Sequence, residues 1–291
     1  KNYKKILEID PEHFETNYLL GTLYLQDKKF NEAKINFNKA IKIKSNHAGL
    51  CNNYGATLIE LGEYDEAINY FQKAIQIQPD YSHAYNNLGS VLKELEHHEK
   101  AINYFQRAIQ IQPDLIDARL NLGITFKELG NFKKATEYFQ HVIKIQPSNV
   151  KAHQNLIESY ERANKEKDLE EAISNAKNFV KEKNIIKLYE AVILYNKDKF
   201  SEAINFLESI SFDKNDIKNE IRRVDTLARC YDRINDNDNA FRYFEIANSL
   251  SPNLMKINRF NKNRYLERIK VRADFFSRPE IKKWKNLKSS K

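Results

Sequence analysis

Small, aromatic and polar positions recur along this chain at a constant interval, the one that separates Gly55 from Gly89 and Gly89 from Gly123. Three consecutive stretches show the pattern without a gap: NNYGATLIELGEYDEAINYFQKAIQIQP from Asn52, NNLGSVLKELEHHEKAINYFQRAIQIQP from Asn86, and LNLGITFKELGNFKKATEYFQHVIKIQP from Leu120. Self-similarity at a fixed period of roughly 20 to 50 residues is typical of proteins built from stacked repeats, each packing only on its neighbours. The pattern therefore predicts a solenoid.

The period and the recurring residues resemble the tetratricopeptide-repeat (TPR) family, whose repeat of about 34 residues is a pair of antiparallel helices. That family has a small residue at position 8, Ala at 20 and 27, an aromatic residue at 24 and Pro near 32, counted here from Phe14. Positions 8 and 20 are Gly21, Gly55, Gly89 and Gly123, and Ala33, Ala67, Ala101 and Ala135. Positions 24, 27 and 32 are Phe37, Phe71, Phe105 and Phe139; Ala40, Ala74, Ala108 and Val142; and Ser45, Pro79, Pro113 and Pro147.

The resemblance implies an all-α fold, a right-handed TPR superhelix (α-α solenoid) with a C-terminal capping helix. Small side chains at positions 8 and 20 let the two helices of a repeat approach closely, and the aromatic ring fills the space that they leave. We expect helix pairs centred near Gly21/Ala33, Gly55/Ala67, Gly89/Ala101 and Gly123/Ala135. The chain has only 7 Gly and 6 Pro, too few turn residues for an all-β fold. No apolar run approaches the ~18 residues of a membrane helix.

The domain organisation follows from the register of the repeat. Residues 1–13 are predicted to be the second helix of a truncated repeat, 14–149 four regular repeats, 150–252 three divergent repeats, and 253–291 a basic helical cap or linker. Ala172 comes three residues later than a position-20 Ala should, which predicts that residues 164–169 lengthen the inner turn. Later residues restore the pattern: Ala191, Ala203, Leu207, Ala228, Ala240, Phe244, Ala247 and Pro252.

The charge is divided unevenly along the chain. Thirteen Lys and Arg against three acidic residues give +10 from residue 256 onwards, which leaves −2 for the rest of the net +8. Apolar residues in the basic segment recur at near-helical spacing over 256–276, predicting an amphipathic helix that caps the last repeat. A capping box at Ser277 starts a shorter helix with Trp284 on its apolar face. A solvated cap or linker is favoured, over an anionic membrane or nucleic acid as its partner.

The candidate binding residues lie on the first helix of each repeat, which in TPR proteins lines a concave groove. Position 6 holds Asn53, Asn87, Asn121 and Asn155, which we call the Asn row. An amide both donates and accepts, so this row is predicted to bind the backbone of an extended peptide, as in the similar asparagine ladder of the O-linked N-acetylglucosamine transferase TPR region. Asn at position 6 is also common in TPR sequences, so a structural role stays open. The neighbouring candidates are Asn52, Asn86, Lys93 and Lys127.

Other chemistry finds little support in the sequence. The basic clamp that some TPR domains use for chaperone tails is absent, and no phosphate loop, nucleophile elbow or metalloprotease motif occurs. The adjacent His97 and His98 do not converge on one ion, and Cys51 and Cys230 match no zinc or redox spacing. We therefore expect a protein or peptide partner, no cofactor, no metal and no catalytic residue, and a reducing compartment such as the cytoplasm. The sequence does not indicate an oligomeric state.

A second resemblance concerns the last repeat and the segment after it. Ala240-Phe241 to Phe244, Ala247-Asn248 and the basic stretch that follows look like the end of the TPR region in bacterial TPR-sulfotransferases. In that family a sulfotransferase domain with a phosphosulfate-binding loop comes next. The alternative function is thus a substrate-recruiting region whose catalytic domain would lie beyond Lys291.

Overall fold

The computed structural model describes residues 2–214 and 216–250, and every regular element within them is an α-helix. The predicted all-α fold is confirmed. The chain divides into two compact units, Lys1–Val180 and Lys181–Lys291. Within the described ranges, no helix combines the length and the apolar character that crossing a membrane requires.

The first unit is a stack of helix pairs that follows one leading helix. Its helices are α1 (Asn2–Ile9), α2 (Phe14–Gln26), α3 (Phe30–Ile43), α4 (Ala48–Glu60), α5 (Tyr64–Ile77), α6 (Ser82–Glu94), α7 (His98–Ile111), α8 (Ile116–Glu128), α9 (Phe132–Ile145), α10 (Val150–Arg162) and α11 (Glu166–Phe179). Even-numbered helices up to α10 are the first helices of their repeats, and each packs against the second helix that follows it. The short turns between them make each pair antiparallel.

A glycine and a phenylalanine bring the two helices of each regular repeat together. A Cβ atom added to Gly89 would lie 2.8 Å from Cε1 of Phe105, closer than two carbon atoms pack. The Phe105 ring is fully buried and cannot swing into solvent. The same contact joins Gly21 to Phe37, Gly55 to Phe71 and Gly123 to Phe139. The prediction that the aromatic ring at position 24 fills the space beside the small residue at position 8 is therefore confirmed.

Consecutive repeats are joined by a hydrogen bond from position 4 to the carbonyl oxygen of the residue six places earlier. In the third repeat the hydroxyl of Tyr85 donates to the carbonyl of Pro79 at 3.2 Å. The equivalent hydrogen bonds run from Asn17 to Pro11, from Arg119 to Pro113 and from His153 to Pro147. In the second repeat the thiol of Cys51 makes a weak contact with the carbonyl oxygen of Ser45. Different side chains thus satisfy the same backbone oxygen, which lies past the end of the preceding helix and has no helical partner.

The inner turn of each repeat contains one residue with positive φ, and these residues fix the register. They are Lys28, Gly62, Glu96, Gly130, Asn164, Asp198 and Asn235, with φ between 53° and 78°. The residue after each one donates its N–H to a carbonyl oxygen of the preceding helix, as His97 does to Leu92 at 2.8 Å. This is a left-handed helix ending, which glycine and asparagine favour.

The prediction that residues 164–169 lengthen the inner turn of the fifth repeat is wrong. α10 ends at Arg162 and α11 begins at Glu166, the same interval that separates α8 from α9. Position 20 is therefore Leu169, which is buried. Ala172 was assigned to position 20 because it is the nearest small residue in the sequence. In this repeat position 20 holds a larger residue.

The part of the second unit that the structure describes, up to residue 250, contains two helix pairs. Its helices are α12 (Lys183–Asn196), α13 (Phe200–Glu208), α14 (Ile217–Arg233) and α15 (Asn237–Leu250). Ala191, Ala203 and Leu207 pack in one buried cluster with Leu227 of α14. The positive-φ residues Asp198 and Asn235 lie three positions further apart than those of the regular repeats. α13 is shorter than the second helices of the regular repeats, and the added length lies in the connection after it and in α14, which has 17 residues where α10 has 13.

The predicted basic cap falls outside the described residues. This applies to the whole segment 253–291, including the amphipathic helix expected over 256–276 and the short helix with Trp284.

Candidate functional site

The Asn row is carried by four successive first helices of the first unit. Asn53, Asn87, Asn121 and Asn155 lie on α4, α6, α8 and α10, and all four side chains are partly buried. The starts of two of these helices are held by side-chain caps. His47 Nδ1 accepts from the N–H of Leu50 at the start of α4, and Asn149 Oδ1 accepts from the N–H of Ala152 at the start of α10.

The amides of the row form hydrogen bonds between repeats. Asn87 Nδ2 donates to Asn52 Oδ1 at 2.9 Å, and Asn121 Nδ2 donates to Asn86 Oδ1 at 3.1 Å. Asn52 and Asn86 are 7% and 8% exposed, so they are buried supports of the row rather than surface groups. The structure thus brings four of the predicted residues together as two pairs, each of which ties neighbouring first helices.

Two hydroxyl groups that the sequence did not suggest complete this network. Asn53 Nδ2 donates to Thr22 Oγ1 at 3.3 Å, and Asn121 Nδ2 donates to Ser90 Oγ at 3.2 Å. Thr22 and Ser90 both stand at position 9 of the repeat before the amide that each meets. A hydroxyl residue at position 9 followed by Asn at position 6 of the next repeat is the signal that could have found them.

Part of the hydrogen-bonding capacity of the central amides stays unused among the described residues. Asn121 Nδ2 places its two hydrogens on Asn86 and Ser90, while its Oδ1 accepts no hydrogen bond from the described part of the chain. Asn87 Nδ2 uses one hydrogen on Asn52 and has a second one. These two amides therefore offer one acceptor and one donor on adjacent helices, the two group types that a peptide backbone complements.

Lys127, another predicted contact, is bound inside the protein. Its Nζ lies 2.7 Å from Glu158 Oε2, and both side chains are 8% exposed. Nζ also donates to Asn155 Oδ1 at 2.5 Å, while Asn155 Nδ2 donates to the carbonyl oxygen of Lys151 at 2.8 Å. The end of the Asn row is thus part of an ion-pair network between α8 and α10. The signal for it is a pair of opposite charges, at position 12 of one repeat and position 9 of the next.

Lys93 is also charge-compensated. Its Nζ lies 2.9 Å from Glu94 Oε1 and 3.8 Å from Glu128 Oε1, and its side chain is 16% exposed. It does not contact the Asn row in any hydrogen bond or ion pair recorded for the described residues. With both predicted lysines paired to carboxylates, the surface around Asn87 and Asn121 presents amides and hydroxyl groups more than net charge.

Family models match the first half of the chain. Two models described as tetratricopeptide repeat match residues 48–114 and 88–155. A model described as anaphase-promoting complex, cyclosome, subunit 3 matches residues 2–74. No curated protein sequence matches the chain.

Solved structures with the same repeat architecture resemble the chain over most of its length. The anaphase-promoting complex hetero-tetramer Cut9–Hcn1 gives a TM-score of 0.63 at 19% identity, over 86% of this chain and 49% of that one. A tetratricopeptide repeat protein from Parabacteroides merdae gives 0.58 at 19% identity, over 76% and 89%. YrrB, described as a TPR protein with an unusual peptide-binding site, gives 0.50 at 22% identity, over 64% and 96%. At these identities the likeness establishes the fold.

Proposed function

Because this chain is a tetratricopeptide-repeat protein, we propose that it is a protein-interaction scaffold that binds an extended peptide on the first-helix face around Asn87 and Asn121. The observation that carries the proposal is the unused donor of Asn87 and the unused acceptor of Asn121, on neighbouring helices of the described chain. The peptide backbone alternates the same two groups along its length. YrrB, which shares the fold, is described as having a peptide-binding site.

The proposed ligand surface selects for an uncharged backbone rather than for a charged tail. Lys93 and Lys127 are each paired with carboxylates at 2.9 Å and 2.7 Å, so neither supplies a free charge. The Asn pairs Asn52–Asn87 and Asn86–Asn121 hold the central amides in place before a ligand arrives. Such preorganisation reduces the conformational entropy that binding costs.

The test begins with a partner captured from the source cell by the repeat array, narrowed to a peptide and titrated calorimetrically. A hydrogen bond to a neutral partner contributes about 0.5–1.5 kcal/mol. Asn87→Ala with Asn121→Ala should therefore weaken binding roughly tenfold or more. Asn69→Ala, an exposed amide on the second helix α5, is the matched control and should leave affinity unchanged. An unchanged dissociation constant in the double variant would exclude the Asn row as the site.

Thermal melting of the same variants separates binding from folding. Asn87 and Asn121 also support Asn52 and Asn86, so some loss of melting temperature is expected. A purely structural row would lower the melting temperature without a specific loss of affinity at temperatures where both proteins are fully folded. The proposal requires loss of affinity under those conditions.

The sulfotransferase-linked function remains a prediction from the second sequence resemblance. None of the matches reported above involves a sulfotransferase, and the basic part of the resemblance falls outside the described residues. Ala240 and Phe244 are buried, as any repeat of this kind requires, so they do not distinguish the two functions. The native sequence after Lys291 tests the alternative: a phosphate-binding strand-loop-helix there would support it, and a stop codon would eliminate it.

A further inference from the structure

Each amide of the Asn row faces two positions of the preceding repeat, position 5 and position 9. Asn121 contacts both of them. Its Nδ2 donates to Asn86 Oδ1 at position 5, over 3.1 Å, and to Ser90 Oγ at position 9, over 3.2 Å. A side-chain amide has two hydrogens to donate, so the preceding repeat uses both of them where these two positions carry acceptors.

Asn87 keeps one hydrogen that no described residue accepts, because one of its two positions lacks an acceptor. Position 5 of the preceding repeat is Asn52, whose Oδ1 accepts from Asn87 Nδ2 at 2.9 Å, but position 9 is Ala56. Ala56 is partly exposed, and its side chain ends at Cβ, where a serine or threonine would have a hydroxyl group. The space beside the second hydrogen of Asn87 is therefore open to an acceptor from outside the protein.

Asn155 shows what happens when both acceptors are missing. Its two positions in the preceding repeat are Leu120 and Ile124, whose side chains have no polar atom. Asn155 Nδ2 instead donates to the carbonyl oxygen of Lys151, on its own helix, at 2.8 Å. The residues at positions 5 and 9 therefore decide where the hydrogens of each amide are directed.

The oxygen atoms of the row depend on position 5 of the same repeat. Asn86 Nδ2 donates to Asn87 Oδ1 at 3.4 Å, and the second repeat has the same contact at 3.3 Å. Asn121 follows Leu120, which cannot donate, so Asn121 Oδ1 accepts no hydrogen bond from the described residues. This oxygen is not among the buried side-chain atoms that lack a partner in the described part of the chain, so it is accessible to solvent.

We propose that Ala56 and Leu120 determine which backbone groups of a peptide the Asn row accepts, an inference that rests on the proposed function. A peptide carbonyl oxygen accepts the second hydrogen of Asn87, in the place that Ser90 Oγ occupies beside Asn121. A peptide N–H donates to Asn121 Oδ1, in the place of the side-chain amide that Leu120 lacks. Since proline has no N–H, the row tolerates proline at the residue that faces Asn87 and excludes it at the residue that faces Asn121.

The probe for the test is a dodecapeptide selected from a random-sequence display library against the 291-residue chain. It is chosen among the peptides that lose affinity for the Asn87→Ala, Asn121→Ala double variant, so that it occupies the Asn row. Its affinity for the parent chain and for each variant is measured calorimetrically. A library that contains no such peptide would overturn the proposed function and this inference together.

Ala56→Ser tests the donor, since it gives the second repeat the hydroxyl group that Ser90 has at the same position. By accepting the second hydrogen of Asn87, it should weaken binding of the selected peptide roughly two- to tenfold, the loss of one neutral hydrogen bond. The side-chain amide signal of Asn87 in the ¹⁵N spectrum of the free variant should shift. Ala56→Cys, whose sulfur accepts only weakly, should weaken binding less. Ser90→Ala, which frees a hydrogen of Asn121, should not weaken it.

Leu120→Asn tests the acceptor. It restores the amide that Asn52 and Asn86 provide in the two preceding repeats, and it should also weaken binding roughly two- to tenfold. Leu120 is 7% exposed, so the fold of this variant is checked by circular dichroism. N-methylation of the peptide, one residue at a time, should identify an N–H whose loss weakens binding to the parent chain but not to Leu120→Asn.

Three results would overturn the inference. Unchanged affinity in Ala56→Ser would do so, while the proposed function would still stand on the double variant. Equal losses in Ala56→Ser and Ala56→Cys would show that bulk, and not hydrogen bonding, weakens binding. A peptide that binds the parent chain equally well after N-methylation at every residue in turn would show that Asn121 Oδ1 accepts no peptide N–H.

Discussion

Lys127 of α8 and Glu158 of α10 form an ion pair, with Nζ 2.7 Å from Oε2, in which both side chains are 8% exposed. Removing one partner of such a pair leaves the other charge buried without compensation, which costs about 3 kcal/mol or more. Lys127→Met should therefore destabilise the chain strongly. Equilibrium urea unfolding should show this as a lower midpoint concentration of urea. Lys127→Met with Glu158→Leu should recover most of the loss, because the lone charge is gone. A double variant no more stable than the single one would contradict this account.

The contact between Gly89 and Phe105 makes a further prediction. Gly89→Ala adds a Cβ atom 2.8 Å from the buried ring, and overpacking of this kind costs about 1–3 kcal/mol. The melting temperature should fall. Phe105→Leu in the same chain should return part of the loss by relieving the clash, since the fifth repeat already has Ile157 and Ile173 at these two positions. If Gly89→Ala melts like the parent chain, the close contact does not limit packing.

Substitution of the positive-φ residue in an inner turn should change the stability of the folded chain. Glu96 adopts φ 61°, a conformation that costs a side-chain-bearing residue about 1 kcal/mol. Glu96→Gly should stabilise the chain by up to about 0.6 kcal/mol, because the relief of about 1 kcal/mol is reduced by the roughly 0.4–1 kcal/mol that the added unfolded-state entropy of glycine costs. Gly130→Ala, at the same position of the next repeat with φ 74°, should have the opposite effect. Equilibrium urea unfolding of both variants measures the two signs together.

Stability should depend on pH through His153. Its pKa in the folded chain lies below its ordinary value of 6.5, because burial disfavours the charged ring. As the pH falls through the ordinary value, the unfolded chain binds a proton that the folded chain does not, so acid favours unfolding. Above the ordinary value the group has no effect. His153→Asn should lose less stability than the parent between about pH 7.5 and about pH 5.5. Equal losses in the two proteins would show that His153 does not titrate on unfolding.

The Asn52–Asn87 pair predicts a cost in stability as well as in binding. Asn87→Ala removes the donor that lies 2.9 Å from Asn52 Oδ1, and Asn52 is 7% exposed. A buried acceptor that loses its donor costs about 1–3 kcal/mol. Asn69→Ala, at an exposed site on α5, should change stability by less than about 0.5 kcal/mol. Thermal melts of the two variants that coincide would show that the Asn52 pair does not stabilise the fold.

The sequence was sufficient for the fold wherever steric demands are strict. Residues equivalent to Gly89 and Phe105 occur in every regular repeat, because the close approach of the two helices requires a glycine that faces an aromatic ring. The period of the repeat could therefore be recognised in the sequence. The fifth repeat was misaligned because Ile157 and Leu169 exchange the small residues for large ones. The positive-φ position would have kept the register, since Asn164 follows Gly130 at the regular repeat interval. Glycine and asparagine suggest that conformation, but lysine and glutamate, which stand there in the first and third repeats, do not.

The sequence predicted the positions of the candidate site residues but not the contacts between them. Periodicity placed Asn87 and Asn121 on equivalent positions of neighbouring helices, which the structure has. It could not show that their amides are bonded to Asn52 and Asn86, because those bonds join different positions of adjacent repeats. The pairing of Lys127 with Glu158 likewise depends on a contact between repeats.

The internal pairing of Lys93 and Lys127 has a consequence for how fast a ligand is captured. Charges that are neutralised within a few ångströms project little field into solvent, so they add no long-range attraction to a diffusing peptide. Association at the Asn row should then proceed at the roughly 10⁵–10⁶ M⁻¹s⁻¹ of unsteered encounters and change little with ionic strength. Rapid binding of a peptide would then require a high local concentration, as when both molecules are held on a common assembly. Differences in affinity between peptides would come from their dissociation rates.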